Sequence, residues 1–136
     1  MPYVVQTMKF IKKITTLLWL PATAMMLAIF VFSSIPSNSM PSFDWADLLV
    51  KKGAHALGYG LLALAYLYAF KLSPTKLKIA WVLAFLYAIS DEFHQSFVPG
   101  RHGSWIDVGI DSAGAAIALK ILDLRLKVSE KQKPDS

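Results

Sequence analysis

The sequence predicts an all-α integral membrane protein, a four-helix up-down bundle with both termini in the cytoplasm. The first observation is composition, since 55% of the 136 residues are hydrophobic and only 17% are charged, with a mean hydropathy of +0.47. Soluble domains carry about 25% charged residues, so a freely soluble globule is disfavoured. The other two observations are long uncharged runs and the uneven placement of basic residues between them. The absence of cysteine excludes a disulfide framework, a thiolate metal site and cysteine catalysis.

Four segments have about the 20 residues needed to cross a hydrocarbon core of about 30 Å. The third becomes long enough only if its helix continues through polar residues to the turn at Pro99-Gly100. The predicted membrane spans are 14–32, 53–70, 79–98 and 105–122.

The first span also has features of a signal peptide. Basic residues precede it, and Ala22-Thr23-Ala24 resembles a cleavage site. The apolar run continues well past that point, which favours a retained anchor.

Orientation follows from the basic residues, which are enriched on the cytoplasmic side of membrane proteins. Most of the 14 Lys and Arg residues lie before span 1, between spans 2 and 3, or after span 4. The chain is therefore divided into a basic cytoplasmic N-terminus (1–13), a four-helix transmembrane domain (14–122) and a polar cytoplasmic tail (123–136). We expect residues 127–136 of this tail to be frayed. The net charge of +5 is attributed to this orientation, so no nucleic-acid partner is expected.

The connections between the spans are short, as neighbouring antiparallel helices require. A Ser/Pro-rich loop follows span 1, and Ser42 or Asp44 is expected to cap the next helix. Pro74 is expected to stop helix 2.

Ionisable side chains gather toward the outward end of the predicted spans, although each costs about 2.5–3.5 kcal/mol within a membrane. Three of them share one face of helix 2 by their spacing, and two others are one turn apart in helix 4. Gly114 and Ala118 continue the stripe of the latter pair and would let another helix approach. The set comprises Lys52, His55, Tyr59, Asp91, Glu92, Gln95, Arg101, Asp107 and Asp111. We expect them to be buried together, with the acidic excess relieved by a proton, a charged histidine or a bound cation.

Each of these residues also has a purely structural interpretation. Ser104 and Asp107 have the spacing of a capping box at the start of helix 4. Arg101 could pair with Glu92 or Asp91 to hold the outer turn. His55 could donate to a backbone carbonyl, and Tyr59 could be an interfacial anchor.

The polar residues fall into four motifs, which are Lys52-x-x-His55-x-x-x-Tyr59, Ser90-Asp91-Glu92-x-x-Gln95, Pro99-Gly100-Arg101-x-Gly103-Ser104 and Asp107-x-x-x-Asp111-x-x-Gly114. Over roughly residues 30–114 the chain resembles the VanZ-like family of bacterial membrane proteins. The resemblance implies a multi-pass protein of the cell envelope, in the bacterial inner membrane. The founding member is associated with low-level resistance to the glycopeptide teicoplanin, so the resemblance suggests a link to that phenotype.

Three functions are compatible with this pattern. In the first, an outward pocket binds the headgroup of an anionic lipid, a glycolipid or a lipid-linked peptidoglycan precursor, with Lys52, Arg101 and His55 on phosphate. In the second, the protein is an intramembrane hydrolase or transferase that uses a divalent cation or a general base. In the third, it is a structural or transport module without chemistry. The binding candidates are Lys52, Tyr59, Gln95, Arg101 and Asp111. The catalytic and metal-ligand candidates are His55, Asp91, Glu92 and Asp107. The substrate and the oligomeric state are left open.

Overall fold

The computed structural model contains four α-helices and one short 3-10 turn, and it describes residues 2–36 and 44–132. The helices are α1 (Pro2–Ser33), α2 (Asp44–Ala69), α3 (Leu77–Gln95) and α4 (Trp105–Lys131), with the 3-10 turn at Pro74–Lys76. No strand occurs in that part of the chain. The predicted all-α class with four helices is therefore confirmed.

The helix ends differ from the predicted ones at several points. Helix α1 begins far ahead of residue 14 and includes the basic N-terminal segment. Helix α4 continues to Lys131, beyond the predicted end at residue 122. The fraying expected for the tail is therefore wrong as far as Lys131. Its added turns carry an ion pair between Lys127 and Asp123 at 2.8 Å, and such i,i+4 pairs stabilise exposed helix.

The turn between α2 and α3 is made by left-handed residues and not by its proline. Helix α2 ends at Ala69, and Lys71 and Leu72 follow with φ of 57° and 55°. The Leu72 N–H donates to the Leu67 carbonyl at 2.9 Å, a six-to-one bond that closes a helix end. Pro74 instead begins the 3-10 turn. The predicted stop of α2 by Pro74 is thus wrong. The predicted cap by Ser42 lies outside the described residues, as does the side chain of Asp44.

Helix α3 ends earlier than predicted, at Gln95. The Ser96 hydroxyl donates to the Phe93 carbonyl at 2.6 Å, and the next turns lead to Gly100, which has a φ of 74°. The N–H groups of Phe97 and Val98 donate to carbonyls three residues before them, both at 3.0 Å, and Pro99 disfavours helical backbone at Val98. Residues 96–100 therefore form the outer turn instead of a further helical turn.

Helix α2 contacts the other three helices and packs most closely against α4. Small residues make this approach close, since a Cβ on Gly114 would overlap with the Ala56 carbonyl. One helical turn further along both helices, a Cβ on Gly60 would lie 3.2 Å from the Cβ of Ala118. The contacting positions advance together along both helices, so α2 and α4 run parallel. This contact confirms the expectation that Gly114 and Ala118 let a neighbouring helix approach α4.

Apolar side chains cover much of the outer surface. Leu27, Leu57 and Ile117 are among the large hydrophobic residues that stay exposed on three different helices. The segment Lys13–Ser33 has 21 residues and a mean hydropathy of 2.0, and by length and composition it is the one described helix suited to crossing a membrane. The polar groups and glycines of α2, α3 and α4 lower their mean hydropathy, so the crossing of these helices stays a prediction.

Candidate functional site

One end of the molecule collects polar side chains from every helix. Helices α1 and α3 end there, and α2 and α4 begin there. The predicted site residues all lie at this end, and five of them, including Tyr59, are buried together with the last residue of α1. The buried polar residues at this end are Ser33, Asp91, Glu92, Gln95 and Asp111.

Asp91 links three helices and is only 3% exposed. Its Oδ2 accepts hydrogen bonds from the Ser33 hydroxyl of α1 at 2.9 Å and from the Tyr59 hydroxyl of α2 at 3.1 Å. The Gln95 amide, one turn along α3, donates to the same oxygen at 3.2 Å. Hydrogen bonds to a carboxylate are stronger than neutral ones, so Asp91 acts as a central acceptor that fixes the end of α1 and the middle of α2 against α3.

Glu92 holds the start of α4. Its Oε2 accepts a hydrogen bond from the Ser104 backbone N–H at 2.9 Å, and its Oε1 lies 3.4 Å from the Gln95 amide nitrogen. The Ser104 side chain makes no capping bond, so the predicted capping box with Asp107 is wrong. In a capping box the acid of the same helix bonds the N-cap N–H, and here Glu92 of α3 takes that role. Gly103 permits the approach, because a Cβ there would lie 2.6 Å from the Glu92 carbonyl oxygen.

Two ion pairs connect α2 with α4. The Lys52 ammonium bonds Asp107 Oδ1 at 2.5 Å, and both side chains are half-buried. One turn further along both helices, His55 Nδ1 lies 3.6 Å from Asp111 Oδ2. That distance is too long for a hydrogen bond. Asp111 is 0% exposed, and neither of its carboxylate oxygens has a hydrogen-bond partner among the described residues.

Arg101 binds the end of α1. Its Nη1 donates to the Ser33 carbonyl at 2.9 Å and lies 3.4 Å from the Phe32 carbonyl. The structure therefore does not bear out its expected pairing with Glu92 or Asp91. The last carbonyls of a helix have no partner within the helix and carry partial negative charge, so a guanidinium is a favourable cap.

A cavity of about 200 Å³ opens between these groups. Its basic walls come from the start of α2 and the outer turn, and its acidic walls come from α3 and α4. The charged or titratable lining residues are Lys51, Lys52, His55, Glu92, Arg101, His102, Asp107 and Asp111. Three lysine and arginine side chains thus face three carboxylates across one small space, with two histidines beside them.

A family model described as VanZ/LLP1 matches residues 3–125. The chain belongs to the VanZ/LLP1 family. Proteins of this family are generally membrane-associated, in keeping with the apolar segment of α1. Comparison with curated proteins and comparison with solved structures each gave no match.

Most of the VanZ motif residues named from the sequence contact one another across helices. Tyr59 reaches Asp91, Lys52 reaches Asp107, and Glu92 reaches Ser104. Three further residues at this end were not among the predicted site residues. Ser33 donates to Asp91, and Ser34 Oγ lies 3.0 Å from His94 Nε2, whose ring also packs on Phe30 with centroids 4.5 Å apart. The sequence signal for Ser33 and Ser34 was their position at the end of an apolar run, level with the acids.

The predicted metal-ligand set of the VanZ chain is not assembled. Within residues 2–36 and 44–132, no three His, Asp or Glu side chains are grouped so that they could hold one metal ion. His55 faces Asp111, Asp107 binds Lys52, and Asp91 and Glu92 each bind other donors. The four candidate ligands therefore contact different partners and do not converge on one point.

Proposed function

We propose that this VanZ-family protein spans the bacterial inner membrane four times and binds the phosphate-bearing headgroup of a lipid in its outward polar cavity. The ligand is an anionic phospholipid or a lipid-linked cell-wall precursor. The observation that carries the proposal is the cavity of about 200 Å³, where basic and acidic side chains from several elements share one space.

The apolar exterior supports the membrane assignment. Large hydrophobic side chains stay exposed along each helix, whereas three of the four buried acids, Asp91, Glu92 and Asp111, lie at one end. Intramembrane charges that face a cavity are typical of functional sites. The excess of basic residues at the opposite end and in the tail favours a cytoplasmic location there.

The basic side chains supply a place for phosphate. The Lys52 ammonium is half-buried beside Asp107 at the cavity wall. Arg101 uses only Nη1 on α1, and since a guanidinium has five N–H donors, donors remain for a ligand. Arginine and phosphate can pair through two parallel hydrogen bonds. A phosphate would therefore be held between α2 and the outer turn.

The acidic side chains indicate what else the headgroup carries. Asp111 is fully buried and its carboxylate has no hydrogen-bond partner among the described residues. A buried acceptor left unpaired is costly, and Asp111 lines the cavity. A ligand hydroxyl would satisfy it. We therefore infer a headgroup with hydroxyls next to its phosphate, as in glycerol phosphate or a sugar phosphate.

The test is a titration of the detergent-purified protein with water-soluble dihexanoyl phosphatidylglycerol and, as the neutral comparison, dihexanoyl phosphatidylcholine. We expect saturable binding that favours phosphatidylglycerol. Lys52→Ala should weaken it by about tenfold or more, because a charge-assisted hydrogen bond contributes about 1.5–3 kcal/mol. The matched control is Lys127→Ala, which breaks the Lys127–Asp123 pair far from the cavity and should leave the affinity unchanged. Equal affinity of the Lys52→Ala protein, or no saturable binding, would overturn the proposal.

The same titration with an undecaprenyl pyrophosphate that carries a sugar, as a lipid-linked cell-wall precursor does, separates the two lipid sources, since the tighter ligand identifies the headgroup class. We also propose teicoplanin resistance as a phenotype, on the basis of the family resemblance. Expression in a susceptible host should raise the inhibitory concentration of teicoplanin for the wild-type protein and not for Lys52→Ala.

A further inference from the structure

A second cavity, of about 420 Å³, lies along α3 and the first turns of α4. Its walls are mostly large apolar side chains, and two of them stay largely uncovered: Phe93 is 68% exposed and Trp105 is 79% exposed. We call this cavity the apolar groove. Its apolar lining residues are Leu86, Ile89, Phe93, Trp105 and Val108.

The serines of the groove do not make it polar. The Ser90 hydroxyl donates to the Tyr87 carbonyl at 2.9 Å, and the Ser96 hydroxyl donates to the Phe93 carbonyl at 2.6 Å. Both hydroxyls therefore bond to carbonyls of α3. The Ser104 N–H bonds to Glu92, and the Ser104 hydroxyl, which makes no capping bond, lies at the end of the groove that is shared with Glu92. Along Leu86, Ile89 and Phe93 the groove therefore suits a hydrocarbon.

The groove adjoins the polar cavity. Glu92 lines both of them and is 6% exposed, so its side chain forms the wall that separates them. Its carboxylate is held by Ser104 N–H and faces Gln95. A molecule that extends past the Glu92 side chain could place a polar head in the polar cavity and an apolar chain in the apolar groove.

We propose that the apolar groove receives the hydrocarbon chain of the same phosphate lipid whose headgroup is bound in the polar cavity. This inference rests on the proposed function. It adds that the protein recognises the hydrocarbon chain of the ligand as well as its headgroup. A free sugar phosphate or glycerol phosphate would fill the polar cavity alone. An amphipathic lipid fits both spaces, because a polar cavity lined by basic residues and an apolar groove share Glu92 as their boundary.

The experiment uses the wild-type protein in nanodiscs that contain, at low mole fraction, phosphatidylglycerol with a diazirine near the end of one acyl chain. The comparison lipid is phosphatidylcholine with the same photoreactive chain. After irradiation, mass spectrometry of peptides locates the cross-links. We expect several-fold more cross-linking at Leu86, Phe93 and Trp105 with phosphatidylglycerol than with phosphatidylcholine, and loss of this difference in Lys52→Ala.

The groove itself is tested by Ser90→Phe, which places a ring in it without changing the polar cavity. The matched control is Thr23→Phe, because Thr23 is also exposed and its hydroxyl also donates to its own helix, at 3.1 Å from the Trp19 carbonyl. Ser90→Phe should abolish the extra cross-linking and leave unchanged the affinity for glycerol 3-phosphate, which has no acyl chain and would fill the polar cavity alone. Thr23→Phe should change neither. Ser96→Phe repeats the test if Ser90→Phe does not fold.

The outcomes separate this inference from the proposed function. Lys52-dependent binding of dihexanoyl phosphatidylglycerol, together with equal cross-linking by the two photoreactive lipids, would overturn the groove assignment alone. Cross-linking that persists in both groove variants would do the same. If neither lipid binds in a Lys52-dependent way, both proposals are wrong.

Discussion

A single carboxylate joins three helices at the polar end of the molecule. Asp91 could be singled out from the sequence, because an acid within an apolar helix needs a partner. Its partners could not be predicted: Ser33 and Tyr59 lie 58 and 32 positions away along the chain. Helical spacing assigns a residue to a face, but which faces meet is decided by the packing of the whole bundle.

Replacement of Asp91 by alanine should destabilise the protein by about 2 kcal/mol or more, because each buried donor left without an acceptor costs about 1–3 kcal/mol. Three donors lose their shared oxygen. The measurement is the free energy of unfolding in mild-detergent micelles, by titration with a denaturing detergent. Glu130→Ala, at the exposed end of α4, is the control and should stay within about 0.5 kcal/mol of wild type. Wild-type stability of Asp91→Ala would contradict the central role of this residue.

Arg101 illustrates a contact that the sequence signals only indirectly. Helix α1 has no basic residue in its last turn, so its final carbonyls need donors from elsewhere. Arg101→Ala should lower the free energy of unfolding by about 1–3 kcal/mol, as hydrogen bonds to a charged group contribute in this range. Arg125→Ala removes an exposed arginine of α4 and should have almost no effect in the same titration. Equal effects of the two variants would show that the cap on α1 adds no stability.

At the scale of the elements, the parallel packing of α2 on α4 brings the two ion pairs into register. The spacing of Lys52 and His55, and that of Asp107 and Asp111, correctly placed each pair on one helical face. The sequence did not decide that these two faces meet, because Asp91 and Glu92 were equally available partners. Close packing through Gly60 and Gly114 brings these faces of α2 and α4 together.

Gly114→Ala should therefore separate the two helices. The added methyl would overlap with the Ala56 carbonyl, which belongs to rigid helix backbone, and overpacking of this kind costs about 1–3 kcal/mol or more. In the same helix, a Cβ on Gly109 meets nothing within 4 Å. Gly109→Ala should stabilise by up to about 1 kcal/mol through helix propensity. Thermal unfolding of both variants distinguishes them, and a shift of the same sign in both would contradict the proposed close approach.

For the whole molecule, hydrophobic runs were enough to predict four helices, but they did not predict where the helices end. The ends depend on local features that hydropathy does not register, such as Pro99 after α3 and the left-handed Lys71 after α2. Helix α4 extends because charged residues beyond Leu122 form good helix with their own ion pair. The length of an apolar run indicates which residues can lie in the hydrocarbon core of a membrane. The helix itself continues as long as its backbone N–H and C=O groups can form helical hydrogen bonds.

The four-span topology can be tested directly because the sequence contains no cysteine, so each introduced thiol is unique. Single variants Thr75→Cys, His102→Cys and Gln132→Cys place a thiol in the turn before α3, in the turn before α4 and at the end of α4. Basic residues flank the first and third positions, which predicts a cytoplasmic location for both. In intact cells a membrane-impermeant maleimide should label only His102→Cys, and after lysis it should label all three. Labelling of Thr75→Cys and His102→Cys from the same side would mean that α3 does not cross the bilayer, and the polar cavity would then have to be placed at a different surface.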